Sequence, residues 1–151
     1  MIKIVVDTNI IFSGLLNSKG IIGDMLFNSD RVFKFYSCTY MRFEINKHRE
    51  KLKQISKLND EQLKESTKRI FNKIHFINEE LIPEKIWLKA ERIAQTIDID
   101  DTDFIGLTTY LKGGLWTGDK GLYNGLKKQG FKHVYNTSEL RIMKQTQILN
   151  D

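Results

Sequence analysis

A lone cysteine, Cys38, cannot form an internal disulfide, which excludes a disulfide-stapled secreted scaffold and makes a reducing cytoplasm the expected setting. No uncharged run approaches the roughly 20 apolar residues of a membrane-spanning helix, so no membrane association is expected. The opening MIKIVVDTNIIFSGLL has one lysine, an apolar run broken at Asp7 and no small-residue cleavage site, and does not read as a signal peptide. One proline, Pro83, is present, and no repeat, low-complexity tract or linker divides the chain. One domain over residues 1–151 is therefore expected, long enough to bury roughly two thirds of its unfolded surface.

What the chain does have is positive charge with a local exception. Lys and Arg number 24 against 19 Asp and Glu, a formal net charge of +5 and a pI near 9.2, which favours anionic partners, nucleic acid foremost. Yet residues 98–103 read DIDDTD, bringing Asp98, Asp100, Asp101 and Asp103 together. Such a cluster repels itself unless it is solvated, caps a helix or holds a cation.

Periodicity places these acids. IKIVV at the start is a β-branched run without alternation, the pattern of a strand buried on both faces of a parallel sheet. Weaker strand signals follow at 33–37, 75–77, 115–117 and 133–136, with helical patterns between them. Thr39 or Ser37 is expected to cap a helix running to about Lys53, with Met41, Ile45, His48 and Leu52 on one side. Asn59 or Asp60 begins another with Leu63, Thr67, Ile70 and Phe71 as its apolar face, and Pro83 a third. Gly113 and Gly114 close the helix before LWT. The alternation predicts an α/β fold with a mostly parallel sheet of about five strands, helices on both faces, and a projecting helical pair over 39–73.

In such sheets ligands bind at the carboxyl ends of the strands. Asp7 directly follows IKIVV and Asp119 follows LWTG. Asp101, if it caps the helix to Gly113, sits above the packed side formed by Phe104, Ile105, Thr108 and Leu111, whereas Asp103 is rotated by roughly 200° and is expected to face away. Glu44 lies at the margin of an apolar stripe, half desolvated and in want of a partner, His48 or a metal. Each acid also has a structural explanation: Asp101, Asp103 and Asp119 as caps, Glu44 as the partner of His48 or Lys47. Several acids projected to one edge nonetheless repel one another without a cation between them. Oxygen ligands with no Cys or His at ligand spacing point to Mg²⁺ or Mn²⁺ rather than Zn²⁺.

IKIVVDTN, Glu44 within YMRFEINKH, DDTDFIGL and LWTGDKGL together resemble the four acidic motifs of the PIN domain, a fold of metal-dependent ribonucleases that includes many toxins of bacterial toxin–antitoxin pairs. The resemblance spans nearly the whole chain and implies a PIN-like three-layer sandwich. Carried over by position, it implies Asp7, Glu44, Asp101 and Asp119 as the catalytic, metal-holding acids, with Asn9 and Thr117 in support. Asp100, beside Asp101, leaves the register of the third acid open by one residue, and Asp103 stands as a possible further ligand. Thr108 departs from the family's usual alanine. Hydrolysis of RNA is the implied activity. The surplus positive charge offers Arg42, Lys47, Arg49 and Lys120 for the phosphate backbone. Single-stranded RNA is expected because its bases can stack on aromatics, for which Tyr36, Tyr40, Phe43 and Tyr123 near the edge are candidates beside a core or rim role for each. An antitoxin partner and a homodimer follow from family habit.

Two other readings compete. A phosphatase of the haloacid dehalogenase type also opens with a strand ending in Asp, but it requires an acid two residues later, where Asn9 stands. A PIN-like module that binds nucleic acid or protein without cutting is the other.

Overall fold

The structure, a computed structural model, describes residues 1–150. Strand β1 (Ile2–Val6) forms the middle of a five-stranded sheet with β2 (Phe33–Cys38) on one side and β4 (Gly114–Trp116) on the other; β3 (Ile74–Ile77) and β5 (Val134–Tyr135) lie at the edges, in the order β3-β2-β1-β4-β5. Every pairing is parallel, so the expected mostly parallel sheet is wholly parallel. The chain moves outward from β1 on one side and then resumes beside β1 with β4. The carboxyl ends of β1 and β4 thus form the topological switch point.

Alternation along β1 sets up two cores. Ile4 and Val6 point to one face, where they meet Ile10, Ile11 and Leu15 of α1 (Thr8–Leu16), Met25 and Leu26 of α2 (Ile21–Phe27), and the fully buried Trp116. Val5 points to the other face and packs with Ala90 and Ala94 of α6 (Glu84–Ala94), Ile105 and Leu107 of α7 (Thr102–Leu111), and Leu122 and Leu126 of α8 (Lys120–Lys128). Pro83 stands at the N-cap of α6, and α9 (Thr137–Asn150) ends the described chain. No single helix among the described residues is long and apolar enough to cross a membrane.

The segment 39–73 differs from the expected helical pair. It holds three helices, α3 (Tyr40–Lys47), α4 (Arg49–Ser56) and α5 (Asp60–Phe71), because the expected helix to Lys53 breaks at His48, whose φ of −100° and ψ of 15° turn the chain onto α1. Leu52, Leu63 and Ile70 are buried there, which makes α4 and α5 part of a core layer. Neither expected cap of α3 acts as one. Thr39 is already helical and its side chain makes no capping bond, while Ser37 lies in β2 and donates to the Val6 carbonyl at 3.1 Å. Asn59 does cap α5, in a reciprocal box with Gln62.

At the end of α7 the left-handed residue is Lys112 (φ 55°), not glycine. Gly113 serves instead for close approach: a Cβ there would stand 2.6 Å from the Lys3 carbonyl oxygen, so only glycine lets α7 lead into β4 beside β1.

Candidate active site

Asp7 leaves β1 at the switch point and becomes the N-cap of α1, its Oδ1 accepting from the Ile10 N–H at 3.0 Å. Its Oδ2 accepts from the Thr117 hydroxyl at 2.5 Å, and Thr117 Oγ1 in turn accepts from the Asp119 N–H at 3.0 Å. Thr117, buried just past the end of β4, therefore ties the first candidate acid to the backbone of the fourth. Asp119 caps α8 through the Leu122 N–H at 3.2 Å, so its capping role and its place beside Asp7 coexist.

A cleft of about 860 Å³ opens at this edge, lined by Asp7, Asn9, Glu44, Asp100, Asp101 and Asp103 among others. Asp119 is outside the lining, although its charge still acts on both Asp7 and Asp101. Asp7 is only 3% exposed. Burial pushes its carboxyl up from 3.8 to about 6; the Thr117 hydroxyl and the Ile10 N–H pull it down, and Asp119 pushes it further up. Asp101 rises to about 7, first through burial and then through Asp98, Asp7, Asp119 and Asp100. Both groups thus resist the ionised state in the absence of a cation.

Asp101 sits at the N-cap of α7, yet its side chain makes no capping bond, contrary to the expectation that it caps the helix. Residues Ile99–Asp101 form a 3-10 turn instead, capped by the Asp98 side chain accepting from the Asp100 N–H at 3.0 Å. This turn also corrects the expectation for Asp103. Counting α-helical phase from Asp101 turns Asp103 away, but α7 starts only at Thr102 and Asp103 lines the cleft. Burial, then Glu79 and Asp100, raises its pKa.

Glu44 reaches the cleft from α3, with His48 Nε2 at 3.7 Å from its Oε2 and Tyr40 beside it. Lys47 is the one lysine or arginine in the lining. The other expected phosphate contacts lie outside it: the Arg42 guanidinium stacks on Phe76 at 4.2 Å from the ring centroid, Arg49 donates to the Asp60 carbonyl at 3.1 Å, and Lys120 is exposed next to Asp119. Glu79, absent from the expected site, also lines the cleft. It follows the carboxyl end of β3, the same signal that picked out Asp7 and Asp119.

Cys38 also lines the cleft, but burial pushes its thiol up and keeps it protonated; the charged donors are carboxylate oxygens with a single nearby lysine, which fits a hard divalent ion such as Mg²⁺ or Mn²⁺. The spacing is open. Among the described residues no three Asp, Glu, His or Cys side chains are grouped closely enough to hold an ion between them, so an ion at this spacing would be held by one or two carboxylates with water completing its shell.

The sequence profile of the PIN domain matches residues 5–147. No curated protein matches the chain in sequence. Among solved structures, a chain in the crystal structure of VapBC2 from Rickettsia felis, bound to a DNA fragment from their promoter, aligns with a TM-score of 0.66. That match covers 89% of this chain and 98% of that one at 12% identity, a likeness of fold. With the profile spanning nearly the whole sequence, and the sheet arranged as the resemblance implies, this chain belongs to the PIN domain family.

Proposed function

We propose that the chain is a metal-dependent endoribonuclease that hydrolyses phosphodiester bonds in single-stranded RNA. One observation carries the reading: Asp7, Glu44, Asp100, Asp101 and Asp103 line one cleft at the switch point of a parallel sheet, and Asp119 is tied to Asp7 through Thr117. Asp7, Glu44, Asp101 and Asp119 are the residues assigned to hold Mg²⁺ or Mn²⁺. When bound, such an ion supplies a water of lowered pKa and neutralises charge on the scissile phosphate.

The chain's own residues then have distinct work. Thr117 orients the Asp7 carboxylate and lowers its pKa, keeping it available as a ligand near neutral pH. Of Asp100 and Asp101, Asp101 is the one assigned as third acid, since its charge couples to both Asp7 and Asp119. Asn9 lines the cleft beside Asp7, and its backbone N–H helps to lower the Asp7 pKa. Lys47 lines the same cleft and Lys120 adjoins Asp119, where each can meet a phosphate; Arg42 and Arg49 reach RNA only by leaving Phe76 and Asp60.

Membership of the PIN family, together with the open acidic cleft, weighs against the phosphatase reading, whose second acid is replaced by Asn9. The likeness to a chain of VapBC2, a structure in complex with promoter DNA, supports the further proposal that this is a toxin with an antitoxin protein as partner; a cytoplasmic setting and a homodimer are proposed with it from the habit of the family. The open spacing of the acids favours one second reading, a PIN domain that binds nucleic acid without cutting it.

The test is cleavage of a single-stranded RNA by purified protein with Mg²⁺ or Mn²⁺. Hydrolysis is expected to stop on adding EDTA and to fall at least about a hundredfold in Asp7→Asn and Asp119→Asn, more than the loss from altering a residue behind a ligand. RNA binding that ignores the chelator, with no cleavage on long incubation, establishes the non-cutting reading instead.

A further inference from the structure

Helix α3 has two unlike sides. Met41 and Ile45 are buried against the core, Met41 also bordering the cleft, whereas Tyr40, Glu44 and Lys47 line the cleft from the exposed side of the helix and Phe43 lies on that side just outside the lining. Tyr40 is 50% exposed and Phe43 67%, with their ring centroids 6.3 Å apart and planes tilted by 34°. The two rings are neighbours set at a tilt, each open to solvent.

The other aromatics near the edge are used elsewhere. Tyr36 is 7% exposed with its ring against His75, and Tyr123 is half-buried on α8 beneath Lys127. Phe12, Trp87 and Phe104 also line the cleft but are half-buried against the cores. Among the described residues Tyr40 is the exposed aromatic of the lining, Phe43 is its ring neighbour just outside it, and Lys47 follows Phe43 by one turn within the lining.

We propose that Tyr40 and Phe43 form a stacking platform for unpaired bases of RNA beside the bond to be cut, which makes the substrate class a strand with accessible bases rather than a duplex. The proposal rests on the ribonuclease reading above. One helical face then presents an acid for the metal, a cation for the backbone and two rings for the bases. Stacking on aromatic faces tolerates any base, so the platform sets the state of the strand and not its sequence.

The test uses Asp7→Asn protein, which does not cut, and a short single-stranded RNA carrying 2-aminopurine at successive positions. Fluorescence quenching at one or two adjacent positions is expected. Phe43→Leu, which removes a ring that is largely exposed and keeps an apolar helix-forming residue, is expected to leave the fold intact, to weaken binding roughly tenfold and to abolish that quenching. An abasic nucleotide at the quenched position is expected to cost a similar factor with Phe43 intact and almost nothing with Phe43→Leu. Lys47→Ala is expected to weaken binding while leaving the quenched position unchanged. Equal affinity and equal quenching in Phe43→Leu and its parent overturn the platform; if the otherwise wild-type protein still cleaves RNA, the nuclease reading survives. Absence of metal-dependent cleavage by the wild-type protein overturns that reading and the platform with it.

Discussion

Asp7 is a carboxyl group almost wholly removed from water, held by two hydrogen bonds and facing other acids, so its ionised form costs folding free energy. Its pKa in the fold, about 6, lies above 3.8, so the stability it allows is fully present below about pH 4 and is lost as pH rises through 6. Asp7→Asn removes that penalty. The variant is expected to be more stable than the parent by on the order of 1–2 kcal/mol at pH 7.5 without metal, in denaturant unfolding, while losing RNA hydrolysis. Thr117→Val keeps the shape but removes the hydroxyl that lowers the Asp7 pKa. Because the ionised acid is the active form, the acid limb of the pH–rate profile is expected to move to higher pH, a shift that simple loss of folded protein does not produce. The acids at strand ends were legible because Asp7 and Asp119 directly follow apolar runs. Asp103 was not, since a 3-10 turn of three residues, Ile99–Asp101, resets the helical phase and leaves no distinct mark in composition.

At the scale of elements, the β1–β4 contact makes the site, because it brings Thr117 to Asp7. Gly113 controls that contact. Gly113→Ala sets a methyl 2.6 Å from the Lys3 carbonyl and is expected to destabilise the fold by about 1–3 kcal/mol, read from the denaturant midpoint. RNA hydrolysis is expected to fall by more than the loss of folded protein, since the strand ends separate. Strand positions could be read from short β-branched and aromatic runs, and the parallel sheet from their alternation with helices. The break at His48 could not, because Met41, Ile45 and Leu52 keep helical spacing across it, and contact with α1 decides the turn.

Across the whole molecule, a protein of formal charge +5 encloses an acidic cleft, so two opposing fields govern it. The positive exterior favours a polyanion at long range, and the cleft repels it until a cation enters. Asp7 and Asp101, with pKa values of about 6 and about 7, both ionise against their surroundings between pH 4 and pH 8. The metal-free protein is therefore expected to lose thermal stability across that range. Millimolar Mg²⁺ is expected to raise the melting temperature at pH 7.5 and to leave it nearly unchanged at pH 5, where protons occupy the same oxygens.

The most direct measurement is calorimetric titration of Mn²⁺ into the wild-type protein and into Asp7→Asn at pH 7.5 and pH 5. Saturable binding by the wild-type protein at pH 7.5, strongly weakened at pH 5 and in the variant, is the result this account predicts. Binding of equal strength in both proteins, or none in either at pH 7.5, contradicts it.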